Sequence, residues 1–381
     1  MASEWKTDLL GNLCLMKNGY AFKSKDFVSQ GIPVIKIKNV KPNRILVDDL
    51  SYVPADVAEQ RKKWLIEKGE ILLTMTGNRA DGSPESWVGK AAIFNESTPY
   101  LLNQRVSALK AKDEAVIDTN YLGYYLSSWQ TQLYFIKRAN SSGGQANISP
   151  EIVMNMPVHY PPLATQRKIV SILATLDQKI KTNAAINDNL QQQAQAIYIS
   201  MFITNADPGW EQGHLSDLIS VKYGKDHKKL ADGSYPVYGS GGIMRYVERP
   251  LYDKESVLIP RKGTLNNVMY VNQPFWSVDT MFYSEMRVPN VAKYVYHFIK
   301  GKDLASMNAG SAVPSMTTDI LNAMEIAIPS ASALEEFEMI VSPMYQGMRE
   351  NNNQSAKLVE LRDSLLPKLM SGEIDVSDIQ I

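Results

Sequence analysis

Tyr160-Pro161-Pro162-Leu163-Ala164 closes one mixed segment and opens a helical run from Ala164 to about Phe202. Ile326-Ala327-Ile328-Pro329 does the same ahead of a run from Ala333 to about Leu369. Setting Pro162 on Pro329 places Ile148 on Ser315, Val153 on Ile320, Met154 on Leu321 and Asn155 on Asn322. Upstream, Trp5, Leu10, Leu13 and Gly19 fall on Trp210, Leu215, Leu218 and Gly224. A globular module plus a long helix, written twice, predicts one task performed at two places.

The repeat divides the 381 residues into a globular unit at 1–161, a long helix at 162–206, a second globular unit at 207–329, and a long helix with a tail at 330–381. In the first unit, Ile32 to Ile37, Ile71 to Met75, Val88 to Phe94 and Val106 to Leu109 are strand-like. They are rich in β-formers and separated by Gly, Asn and Asp turns. Tyr121 to Ile136, with aromatics and leucines at three- and four-residue spacing, predicts a helix. The second unit is more compact: Pro236-Val237-Tyr238 matches Pro33-Val34-Ile35, Ser256 to Ile259 matches Glu70 to Leu73, and Tyr294 to Ile299 stands in for the Tyr121 helix. The fold class is α+β: two mixed α/β domains joined by two long helices.

Those helices carry heptad stripes. Leu173, Leu176, Ile180 and Leu190 lie on the first, and Phe337, Val341, Leu358 and Leu365 on the second. Apolar residues at alternating steps of four and three predict a coiled-coil seam. Each helix is about 50 Å long at ~1.5 Å per residue, and neither buries its stripe alone. The expected arrangement is an antiparallel pair with an internal pseudo-twofold axis. Asn183, Asn187 and Asn351 to Asn353 fall mid-helix, where they either fix register or mark a local weakening or turn. Ser332 followed by Glu335 is a capping-box signature, and Pro343 removes a backbone donor and predicts a bend.

Forty basic and forty acidic residues cancel, which argues against wrapping nucleic acid by charge alone. A single cysteine, Cys14, excludes an internal disulfide, and with no membrane-length apolar stretch the expectation is a cytoplasmic protein. His159, His214, His227 and His297 are scattered and form no metal motif; there is no P-loop, and Gly239-Ser240-Gly241-Gly242 suits a flexible turn better than a phosphate cradle. The sequence predicts no catalytic, cofactor or metal site.

The remaining candidates are polar residues in strand-ending loops. They are Lys36, Lys38, Asn39, Thr76, Asn78, Arg79, Gln104, Arg105 and Gln145 in the first unit, and Lys222, Lys225, Tyr238, Ser240, Arg261, Lys262 and Asn266 in the second. Arg, Lys, Asn and Gln suit base edges, while Lys, Ser and Thr take phosphates. Any one of them alone is equally a solvated loop residue; their placement at matching points of both modules favours DNA contact.

The whole chain resembles the specificity subunit of type I restriction–modification systems. The signs are the transition Asn147-Ile148-Ser149 … Met156-Pro157-Val158 … Pro162 to Val170, the opening Trp5-Lys6 … Gly19-Tyr20-Ala21-Phe22, the stretch Gly69 to Gly77, and the tail Leu361-Arg362-Asp363-Ser364-Leu365-Leu366-Pro367-Lys368-Leu369-Met370-Ser371-Gly372-Glu373-Ile374. Ser330-Ala331-Ser332-Ala333-Leu334 departs from the first copy's Leu163 to Arg167, and Val278-Asp279-Thr280 from Asn103-Gln104-Arg105. The resemblance implies two target-recognition domains, each binding half of a bipartite double-stranded DNA target. It implies helices that set the spacer and dock two modification subunits, with two restriction subunits in the full complex. No cofactor is expected in this subunit; S-adenosylmethionine, ATP and Mg2+ are implied for the partners. The competing readings are a duplicated protein adaptor that binds no DNA and an autonomous enzyme.

Overall fold

The computed structural model describes residues 5–78, 87–97, 99–142, 145–307, 315–376 and 379. The chain forms two compact units, Met1–Lys181 with Gln354–Ile381, and Thr182–Asn353. Each therefore contains one globular module and one half of each long helix.

In the first unit, Ala91–Ile93, Ile71–Thr74, Val106–Ala111 and Cys14–Asn18 lie side by side as an antiparallel sheet. A second sheet orders Ser51–Val53, Ile32–Ile35, Tyr100–Leu102 and Leu65–Ile66, with Ile32–Ile35 parallel to Tyr100–Leu102. Ile71 and Leu73 point to one side of their strand and Leu72 to the other, so one strand supplies two cores. The larger core gathers Ile71, Leu73, Leu109, Tyr121 and Phe135 with Ile169, Leu173, Leu366 and Leu369 from the long helices. The predicted single helix from Tyr121 to Ile136 is two helices, Thr119–Ser127 and Trp129–Arg138. Ser128 is extended and its hydroxyl accepts the Thr131 amide at 3.3 Å, starting the second helix afresh.

In the second unit, Ile219–Tyr223, Met281–Met286, Ser256–Pro260 and Met269–Val271 form an antiparallel sheet. Gly242–Val247, Asp232–Gly239 and Trp276–Ser277 form another, with Asp232–Gly239 parallel to Trp276–Ser277. Helix Ala292–Lys300 is tied down by the buried Lys293, whose ammonium donates to Glu255 at 2.9 Å and Glu338 at 2.7 Å. A buried cation is tolerated when carboxylates face it in this way.

The two modules repeat their backbone hydrogen bonds. Leu10 N donates to Met156 O and Leu215 N to Met324 O; Ile148 N donates to Met75 O and Met316 N to Arg261 O. The Tyr121 hydroxyl donates to His159 O, and the Tyr294 hydroxyl to Ala327 O. These bonds correct the sequence register by one residue. His159 is equivalent to Ala327, so Pro161 rather than Pro162 matches Pro329, and Val153 matches Leu321 rather than Ile320. Two adjacent prolines offer two alignments, which only the hydrogen bonds distinguish.

The long helices run Leu163–Ile199, continued by a wider turn over Ser200–Thr204, and Ala331–Ser371. The second begins ahead of the predicted cap: Ser330 Oγ accepts the Ala333 amide at 3.3 Å, so Ser330 rather than Ser332 caps it. Helix continues through Asn351 to Asn353, so no turn interrupts it there. Within the second unit, Asn187 Nδ2 donates to Asn352 Oδ1 at 2.8 Å and Asn351 Nδ2 to Asn187 Oδ1 at 2.9 Å. Within the first, the Arg362 guanidinium donates to Asp177 at 2.7 Å.

Candidate nucleic-acid interface

Both modules build one feature alike. A β-carbon on Gly19 would collide with the Asn103 carbonyl, and one on Gly224 with the Val278 carbonyl. Gly19 N donates to Val106 O at 3.1 Å and Gly224 N to Met281 O at 3.0 Å. Glycine at this point lets the end of the first long strand press against a tight loop, Asn103-Gln104-Arg105 in one module and Val278-Asp279-Thr280 in the other. The same backbone thus presents two different sets of side chains.

In the first module, Arg105 Nη1 lies 3.5 Å from Thr76 Oγ1, and Thr76 Oγ1 donates to Asn147 Oδ1 at 2.7 Å. Met75 N donates to Arg105 O at 2.9 Å, fixing the loop to the end of strand Ile71–Thr74. Lys36 follows Ile35, whose carbonyl accepts Asn103 N at 3.1 Å. Its ammonium sits 3.6 Å from the centre of the Phe27 ring, and burial, then the Lys38 charge, pulls its pKa below the usual lysine value. Asn78 follows the short strand Thr76–Gly77, which pairs with Ala146 and Asn147, and Asn78, Gln104, Arg105 and Gln145 are exposed. Arg79 lies outside the described residues. Lys38 is exposed and pairs with Asp49.

Asn39 departs from the sequence reading. It is buried, its Oδ1 accepts Lys36 N at 3.0 Å, and its Nδ2 donates to Leu46 O and Asp49 O. Its amide holds a loop in shape and is withdrawn from any ligand.

In the second module, Arg261 N and Lys262 N both donate to Thr280 O, at 2.9 and 3.1 Å. Arg261 Nη1 donates to Asp279 O at 3.2 Å, and its guanidinium lies 5.4 Å from the Tyr223 ring centre. Lys225 N donates to Ser277 O, and the Trp276 indole donates to Lys225 O, both at 2.8 Å. Ser240 O accepts Asn267 Nδ2 at 2.8 Å, and Val278 N donates to Tyr238 O at 3.1 Å. Lys225, Tyr238, Ser240, Arg261 and Lys262 are therefore gathered at one end of the sheet. Lys222 stands one residue before Tyr223 and is 3.8 Å from Glu285. Asn266 is committed at both ends of its amide, to Asp303 at 2.9 Å and to Ala305 N at 3.0 Å, and holds a neighbouring loop. Sequence reasoning passed over the exposed Tyr223, whose signal was an aromatic placed between Lys222 and Gly224.

A family model for the type I restriction modification DNA specificity domain matches residues 2–192 and again residues 208–360. The chain belongs to this family. Its two matched stretches enclose the two gathered sets of side chains described above.

Curated members of the family align along most of the chain. The HindI specificity subunit of Haemophilus influenzae is 23% identical, with 98% of this chain and 100% of that protein covered. The MjaIX specificity subunit of Methanocaldococcus jannaschii is 22% identical, covering 83% of this chain and 80% of that one. Among solved structures, the S subunit of a type I restriction–modification system from M. genitalium shares the fold, with a TM-score of 0.58 at 17% identity and coverage of 97% and 96%.

Leu173, Phe337 and Val341 are buried. Leu176, Ile180, Leu190, Leu358 and Leu365 are half-buried. Among the described residues no group of His, Cys, Asp and Glu is arranged to hold a metal, and no helix is long and apolar enough to cross a membrane.

Proposed function

We propose that this chain is the DNA-reading, non-catalytic specificity subunit of a cytoplasmic type I restriction–modification complex. The modules at 1–161 and 207–329 each bind one half of a bipartite double-stranded target. The helices at 162–206 and 330–381 pair as an antiparallel coiled coil related by a pseudo-twofold axis, set the length of the unread spacer and dock two modification subunits. Two restriction subunits complete the assembly. S-adenosylmethionine, ATP and Mg2+ are used by those partners, and this subunit holds none of them.

The observation that carries this reading is the pairing of one backbone frame with two side-chain sets. Gly19 and Gly224 support equivalent loops, yet the loops offer Gln104 and Arg105 in one module and Asp279 and Thr280 in the other. An adaptor with two equivalent docking sites would be expected to repeat its surface residues as well as its frame. A pair of readers for unlike half-sites repeats only the frame. In the first module Thr76 is buried with its hydroxyl donated to Asn147 and does not belong to the DNA-facing set. Arg105, Gln104, Asn78, Gln145 and Lys36 form that set, and Arg79 is proposed with them from sequence alone. In the second, Arg261, Lys262, Lys225, Tyr238 and Ser240 do so, with Lys222 at the margin. Arginine offers paired donors and glutamine a donor and an acceptor to base edges, and the lysines and hydroxyls hold phosphates.

A mobility-shift assay of the chain assembled with its modification subunits tests this reading. Sequence-specific retardation of duplex DNA is expected, and equal retardation of target and scrambled duplex would contradict it.

A further inference from the structure

The second module carries a tight hairpin at a point where the first has a longer connection between the paired strands. Strands Asp232–Gly239 and Gly242–Val247 pair with Gly239 opposite Gly242, leaving Ser240-Gly241 as the tip. In the first module the equivalent strand Ile32–Ile35 pairs with Ser51–Val53 and runs directly into the turn Ile37–Asn39. The hairpin leaves large apolar side chains in solvent: Ile243 is 49%, Met244 60% and Tyr246 50% exposed. Clustered apolar exposure of this kind at one end of a soluble module marks a contact surface.

The tip is held in place. Ser240 O accepts Asn267 Nδ2, and a β-carbon on Gly263 would lie 2.6 Å from Ser240 Oγ. A β-carbon on Gly239 would lie 2.5 Å from the Met244 sulfur, so the missing side chain lets Met244 lie across the hairpin toward Val278. The apolar tip is thereby fixed to the loop carrying Arg261 and the exposed Lys262, with the exposed Lys225 and Tyr223 on the neighbouring strand end.

Cations that fringe a small apolar projection fit nucleic acid better than a protein groove. The charges meet phosphates, and the apolar group in reach of a groove-entering ribbon is the thymine 5-methyl. The exposed Asp279 beside Arg261 suits a cytosine amino group and not a phosphate. We propose that the hairpin tip enters the major groove of the half-site bound by the second module, and that Ile243 and Met244 recognise thymine methyl groups there. This rests on the chain being a DNA reader and adds what one half of it reads.

The test uses the chain assembled with its modification subunits and the recognised duplex, with each thymine replaced in turn by uracil. Losing one buried methyl contact weakens binding roughly three- to tenfold. That loss is expected at one or more thymines of one half-site only, and it should vanish in the Ile243→Ser/Met244→Ser double variant, which binds thymine and uracil duplexes alike. Absence of any thymine–uracil difference in the unsubstituted complex would overturn the proposal without reference to a variant. So would an undiminished difference in the double variant, or a uniform weakening on every duplex. A complex that does not distinguish target from scrambled DNA at all would instead contradict the reading of the chain as a DNA reader.

Discussion

Arg362, near the end of the second long helix, donates to Asp177 of the first at 2.7 Å and is itself mostly buried. The same carboxylate accepts the Tyr124 hydroxyl at 2.7 Å, so one aspartate joins both helices to the first module. Asp177 neutralises a guanidinium that has lost much of its water, and burial together with that carboxylate raises the Tyr124 pKa. Asp177→Asn is expected to cost on the order of 1–3 kcal/mol in denaturant unfolding, because the Arg362 charge stays behind with the exposed Asp363 as its remaining acidic partner among the described residues. Truncating Arg362 as well should recover part of that loss.

In the second module the equivalent junction uses a neutral imidazole. His297 is fully buried, with Nδ1 at 2.7 Å from Gln195 Oε1 and Nε2 at 2.8 Å from the Tyr345 hydroxyl. Burial lowers its pKa from 6.5 to about 4. The unfolded chain binds this proton more readily, so the stabilisation is complete above about pH 6.5 and is lost as pH falls toward 4. The loss is on the order of 3 kcal/mol across that window. Unfolding midpoints between pH 7 and pH 4 should show the decline, and His297→Gln should flatten it.

The helix stripe grades by burial. Leu173 is fully buried among Leu366, Leu369 and Met370, while Leu176 one turn on is half-buried. Leu173→Ala should cost about 2–5 kcal/mol and Leu176→Ala clearly less. Equal effects would mean that the seam is misplaced.

Asn351 Nδ2 donates to Asn187 Oδ1 at 2.9 Å, where a pair of leucines would hold better. Replacing both with leucine is expected to preserve or raise unfolding stability while broadening the species seen on assembly with the modification subunits, since the polar pair fixes register at a cost in stability. A single sharp assembly would remove that role.

The repeat, the two helices and the matched strands Glu70 to Leu73 and Ser256 to Ile259 were legible in sequence, because each rests on periodicity or on local β-formers. What was not legible depends on contacts distant in the chain. Ser128 interrupts a helical spacing that Trp129 and Gln132 continue without a break, so only its cap on Thr131 reveals two helices. Asn39 looks like a free loop amide until the fold brings Leu46 and Asp49 carbonyls to it. Gly239 to Gly242 reads as a flexible turn, and its pairing into a hairpin with Ile243 and Met244 beside Arg261 appears only once Asn267 and Gly263 hold the tip. Converging strand ends bring most of the loop residues near one another in each module, but whether an individual side chain is free depends on the fold, and Asn266 is already occupied by Asp303 and Ala305.

Arg105→Ala and Arg261→Ala should act on different halves of the target. If each reads a base, affinity falls by about 1–3 kcal/mol and one position of one half-site relaxes. Weakening that is uniform over all sequences, with a shallower salt dependence, would assign the arginine to a phosphate. Affinities against single-base variants at two salt concentrations separate the two.

The central claim is that the two modules read independently. It is tested most directly by mapping methylated bases across the DNA of a host that carries this chain with its modification subunits, beside a host in which residues 1–161 are exchanged for those of another family member. The account predicts a bipartite methylated sequence in which the exchange rewrites one half and leaves the other half and the spacer unchanged. A sequence altered in both halves, or in neither, would contradict it.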